Sequence, residues 1–216
     1  GGYPPAGQPY GDPASAPLPP TPPKKSKAGK IVLIVLAVVL VLCCGGGAIA
    51  WFAVKDEVKD AVEATNTRVT APATLAGRPK ITEPQLQAAV DSMMAEMKST
   101  VQNETSTAGG FYGDMTKQDL VMIAAASGLV ADPKKELDDA VSSAGTQLAV
   151  SNVATVDPGP LGGEARCGDG KTQGMKLGVC VWADKGSVGM IVMYFKTAEQ
   201  VKAEFVTMRG QIEQRS

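Results

Sequence analysis

The chain has 216 residues and is nearly neutral, with 21 Lys and Arg against 22 Asp and Glu, and it contains no histidine. The lack of imidazole removes Ser-His-Asp and Cys-His catalysis and histidine metal ligation together. Four lysines and one aspartate precede Ile31, which leaves 17 basic and 21 acidic residues after Val54 and no electrostatic basis for nucleic-acid binding.

Residues 1–30 hold nine prolines and almost no aliphatic side chains. Such a stretch cannot bury enough apolar surface to offset chain entropy, so it is expected to be a disordered tail with polyproline II character. Pro19, Pro22 and Lys24 match a PxxPxK pattern, but that spacing arises readily in any Pro-rich tail. A solvated tail with a basic membrane-proximal anchor is the preferred reading.

Residues 31–54 carry no charge. A helix of that length is about 36 Å long, enough to cross a hydrocarbon core of about 30 Å. Trp51 and Phe52 fall at its C-terminal end, where interfacial aromatics are favoured, and Lys24, Lys25, Lys27 and Lys30 crowd the other flank. The positive-inside bias predicts a plasma-membrane protein with a cytoplasmic N-terminus and an extracytoplasmic C-terminal part. The lipid bilayer is the first expected partner. Ala48-Ile49-Ala50 also reads as a signal-cleavage site, although the apolar run continues past it. Cys43 and Cys44 read as apolar packing, because Leu42 stands where a lipoprotein signal wants a small residue. Gly46 and Ala50 form a small-xxx-small pair that would support a weak homodimer through this helix.

The order of a Pro/Gly/Tyr/Gln-rich tail, a Lys cluster, one Val/Leu-rich span and a modest outer domain resembles single-pass membrane proteins of high-GC Gram-positive actinobacteria whose function is uncharacterised. The resemblance covers layout and composition, and no functional residue carries over from it.

Residues 55–75 are read as a stalk or linker. Val54, Val58 and Val62 lie at helical spacing, and 66–76 is a linker or an entry strand. The outer domain is expected over 76–216. Thr82-Glu-Pro-Gln85 is a capping box, and Leu86, Val90, Met93 and Met97 follow as a helical stripe, predicting a helix over 83–99. Strands are expected at 107–113 and 120–125. Asp132-Pro133 opens a second helix with Leu137 and Val141 inward and Gly145 at its end. A strand over 146–156 then runs into the turn Asp157-Pro-Gly-Pro160. Met175, Leu177, Val179 and Val181 alternate as in a half-buried strand, and Asp184-Lys-Gly186 turns into a second apolar strand. Thr197-Ala-Glu-Gln200 caps the last helix, whose stripe is Val201, Phe205, Met208 and Ile212. The fold class is therefore an α+β sandwich with a mainly antiparallel sheet and helices on one face.

Cys167 and Cys180 lie outside the membrane in this topology, where thiols oxidise, and their spacing is not that of a CxxC redox or zinc pair. A structural disulfide is expected. Gly170-Lys171-Thr172 is not a phosphate loop, because Ala165 replaces the required glycine. Ser187 is not a nucleophile elbow, because Lys185 occupies the first glycine position. Asp138 and Asp139 are adjacent on a helix and diverge onto a solvated face. Asn103-Glu-Thr105 is a glycosylation sequon. No catalytic, cofactor-binding or metal-binding residue is assigned. The reading that results is a non-enzymatic module binding an unknown envelope ligand or protein. The alternatives are a hydrolase or transferase built on carboxylates distant in sequence, and a structural envelope protein.

Overall fold

The structure is a computed structural model that describes Gly29, residues 31–37, Ala64 and residues 66–216. The tail apart from Gly29, residues 38–54 of the span, and residues 55–63 and 65 of the stalk lie outside the described residues. Among the described residues no helix is long and apolar enough to cross a membrane.

The domain is built on a six-stranded antiparallel sheet. Its strands are β4 (Gln102–Asp114), β5 (Asp119–Leu129), β6 (Ser151–Val156), β7 (Glu164–Thr172), β8 (Met175–Ala183) and β9 (Ser187–Tyr194), in the order β4-β5-β9-β8-β7-β6. Among the described residues three long helices pack on it, α1 (Pro84–Met97), α2 (Pro133–Leu148) and α3 (Ala198–Ile212), together with the short helical stretch 31–37. Before the sheet come three short strands, β1 (Thr67–Val69), β2 (Thr74–Leu75) and β3 (Arg78–Pro79), and the chain closes with β10 (Glu213–Arg215).

The α+β class and the antiparallel sheet stand, but helices on one face do not. α1 and α2 cover one side, where Leu86, Val90 and Leu137 join Leu177, Val179, Val181 and Val192 in a single apolar cluster. α3 covers the other, where Val201, Phe205, Met208 and Ile212 meet Cys180, Trp182, Ile191 and Met193. The central strands are consequently buried on both sides, and β8 is buried at eight of nine positions rather than every second one. Its periodic residues face α1 and α2, and the residues between them face α3. Burying each large side chain of the α3 stripe contributes roughly 1.5–3 kcal/mol. At Gly178 the close approach of α3 leaves no room for a Cβ, which would strike the carbonyl oxygen of Thr197.

Several boundaries move for identifiable reasons. β4 is almost twice the predicted length, because a register shift between Gln102 and Ser106 lets it continue past the irregular Asn103. α2 does not stop at Gly145. It runs one turn further to bury Leu148 and ends at Ala149 in the left-handed conformation (φ 48°), so the predicted strand begins only at Ser151. The last helix starts where its cap predicts, with the Thr197 N–H donating to Gln200 Oε1 at 3.0 Å.

Residues 67–75, read as the end of the stalk, are folded onto the domain. β1 pairs antiparallel with β10, and Val69 and Leu75 are buried in the cluster under α3. Ser127 Oγ holds Thr105 Oγ1 (2.8 Å) and Ser106 Oγ (2.6 Å), and Ser106 Oγ accepts the Val69 N–H at 2.7 Å, tying β1 to β4 and β5. Arg78 clamps β3 by donating to Asp119 (3.0 Å) and to Glu204 (2.6 Å).

Candidate functional site: a charged cleft at the chain's entry edge

The β8–β9 turn is shaped by Asp184. Its Oδ1 accepts from the Gly186 N–H (2.7 Å) and the Ser187 N–H (2.9 Å), while its own N–H donates to the Ser187 carbonyl (2.9 Å). The predicted tight turn is therefore present, with a side-chain anchor as well as a glycine. Around it converge the start of α2, the start of β7, and β10. Together they line an open cleft of about 510 Å³ whose charged residues are Asp132, Lys134, Glu164, Asp184, Lys185 and Arg215. Gly162 and Gly163 contribute backbone to its wall.

Below the cleft lies a buried ionic network. Arg209 is 1% exposed; its Nη2 donates to Asp184 Oδ2 at 2.6 Å and its Nε to Glu213 Oε2 at 3.0 Å. Its Nη1 donates to the carbonyls of Pro158 (3.1 Å) and Gly162 (2.8 Å), and its guanidinium carbon sits 5.6 Å from the centre of the Trp182 ring. Arg215 adds bonds to Asp184 Oδ2 (2.8 Å) and Glu213 Oε1 (2.9 Å). Ser187 Oγ accepts from Trp182 Nε1 (3.1 Å) and lies 3.0 Å from Asp184 Oδ2 and 2.9 Å from Glu213 Oε2. Burial, and then the Glu213 charge, push the Asp184 carboxyl above its ordinary range, against the pull of the Gly186 N–H and of both arginines.

The two carboxylates share Ser187 Oγ and both arginines as neighbours, which invites comparison with a glycosidase pair, yet their surroundings are those of a structural ion cluster. Glu213 is buried, Asp184 nearly so, and each faces arginine donors where a substrate would have to sit. Ser187 is fully buried beneath the same groups. The cleft is thus a surface of mixed charge resting on a fully engaged floor. Removing either charge sign from that floor would leave a buried ion unpaired, which is the costly case.

The residues singled out in the sequence fall as follows. Cys167 and Cys180 form a disulfide between directly opposed positions of β7 and β8, with Cα atoms 4.1 Å apart, on the side covered by α3. Asp138 and Asp139 lie on the outer side of α2. Asp138 is held by Lys134 (2.8 Å) and Arg166 (2.6 Å), which keep its carboxyl below the usual range, and Asp139 by Lys135. Gly170, Lys171 and Thr172 belong to β7, and Asn103 is exposed with a positive φ. Among the described residues no three His, Cys, Asp or Glu side chains are grouped as metal ligands.

Sequence reasoning did not single out Arg209, Glu213 and Arg215. The available signal was a pair of opposite charges at i and i+4, Arg209 and Glu213, with Arg209 next to Met208 on the apolar stripe of the last helix. No protein-family model, curated protein or solved structure matches this chain.

Proposed function

We propose that the chain is a single-pass membrane protein with a cytoplasmic N-terminus, and that its outer domain is a non-enzymatic module binding a polar envelope component at the charged cleft. The observation that carries this reading is the state of the floor. Asp184 and Glu213 are occupied by Arg209 and Arg215, while the rim presents both charge signs and backbone amides, a surface suited to recognition rather than proton transfer. Position supports it as well. β1 pairs with β10 and the Ser216 N–H donates to the Asn66 carbonyl (3.1 Å), so the tether arrives beside Arg215, on the edge that carries the cleft. A ligand held there sits close to the membrane surface. The disulfide supports an oxidising compartment. A carboxylate-dependent hydrolase and a structural envelope protein are the competing readings.

The test uses the full chain in nanodiscs, titrated with soluble envelope-glycan fragments and with anionic lipid. Binding that weakens at least tenfold in the double variant Glu164→Lys, Lys185→Glu, with unchanged thermal unfolding, is the expected result. Hydrolysis of the fragments, lost on changing one cleft carboxylate to its amide, would replace the binding reading with the enzymatic one. A reporter active only outside the cytoplasm, fused after Ser216, should be active and sediment with membranes. Activity released to the medium would favour cleavage after Ala50.

A further inference from the structure

The α1/α2 side of the sheet contains two residues that the sequence places at the start of the membrane span. Within the helical stretch 31–37, Ile31 and Val35 are buried in the same apolar cluster as Leu86, Val90, Met93, Met122 and Val192, and Ile34 and Leu36 pack against it. Val35 has no exposed surface, whereas Leu33, on the opposite side of the turn, is 68% exposed. This is the pattern of a helix seated by one face. The receiving side is also chemically distinctive: of the chain's nine methionines, Met93, Met94, Met97, Met115, Met122, Met175 and Met190 belong to this cluster or pack on it. Methionine is unbranched, flexible and polarizable, and surfaces rich in it adapt to apolar helices of different shape.

These contacts and a membrane-spanning arrangement exclude one another. With 31–54 across the bilayer, Ile31 lies at the cytoplasmic end and the domain beyond the opposite face, separated by a hydrocarbon core of about 30 Å. With 31–37 on the domain, Ala37 and Asn66 lie on the same side of the bilayer, a separation that the 28 residues between them span easily. We propose that the methionine-rich side of the domain is a built-in receptor for the chain's own 31–37 segment. Residues 31–37 then have two alternative burial sites: the domain before insertion and the bilayer afterwards. The proposal concerns a different surface from the cleft and stands independently of the ligand reading.

The experiment measures the distance between spin labels at Leu33→Cys and Ser92→Cys, both exposed positions, in the full chain with Cys43 and Cys44 changed to Ala. Cys167 and Cys180 are bonded to each other and do not label. Protein made in a lipid-free cell-free system should show a population within about two helix spacings, ~20 Å plus the label arms. Adding liposomes during synthesis should replace it with one beyond ~40 Å, the core thickness plus the approach to the domain. Val35→Asp should remove the short population in lipid-free protein, while a pair of labels both on the domain, Ser92→Cys with Lys202→Cys, keeps its wild-type distance and the unfolding transition is retained, which shows that the domain is still folded. A long or featureless distribution without lipid overturns the proposal. A short distance that persists in liposomes overturns it too, because the segment would then not be a span.

Discussion

Trp182 lies directly opposite Gly189 in the β8–β9 ladder, and its indole occupies the space in which a side chain at position 189 would begin. The ring cannot easily withdraw. Phe205 packs at 6.1 Å between centroids, Arg209 stacks over it, and Ser187 accepts its N–H. Gly189→Ala should therefore lower the unfolding free energy by about 1–3 kcal/mol, the usual cost of overpacking a well-filled core. Urea unfolding checks this, and an unchanged midpoint would mean that Trp182 is less confined than its neighbours suggest.

Arg209 is the common partner of Asp184, Glu213 and two backbone carbonyls. Arg209→Leu keeps the bulk but leaves the buried carboxylates to Arg215 alone, with an expected loss of roughly 3–5 kcal/mol. Arg209→Lys should fall between, since one ammonium group cannot reproduce the planar fork. Denaturant midpoints of the two variants give the order.

The pH dependence follows from Asp184, whose carboxyl is raised in the folded protein from an ordinary 3.8 by burial and by Glu213. Between the unfolded and folded pKa values the native state binds the extra proton, so this group's contribution to stability is greatest below the unfolded pKa and is lost as pH rises through the folded one. The wild type should gain stability relative to Asp184→Asn as pH is lowered through that window. A difference that shrinks instead would show that the arginines outweigh burial at this site.

The Cys167–Cys180 bond closes a hairpin already held by its ladder, with a sequence separation of 13. The chain-entropy model gives on the order of 3 kcal/mol for a loop of this length. Unfolding of the Cys167→Ala, Cys180→Ala variant should shift by about that amount and match reduced wild type. Non-reducing mass spectrometry of protein isolated without reductant should recover the linked peptide.

Local features of the chain were readable because their causes are local. The stripe Val201, Phe205, Met208, Ile212 and its Thr197 cap, the Asp132 start of α2 and the Asp184-Lys-Gly186 turn each depend on residues a few positions apart, and each appears in the structure. The uncharged run 31–54 and the lack of histidine are likewise properties of the sequence alone. Tertiary structure decided which faces those elements cover. The alternation of Met175, Leu177, Val179 and Val181 reports one buried face but is silent about Cys180 and Trp182, which α3 buries from the other side. It also extended α2 past Gly145, where burial of Leu148 outweighs the local stop signal. The ionic cluster belongs wholly to that level. Asp184 meets Arg209 and Arg215 across 25 and 31 residues because the β8–β9 turn, the last turn of α3 and β10 come together at one end of the central strands, and no periodicity in a single chain records which strand ends will meet.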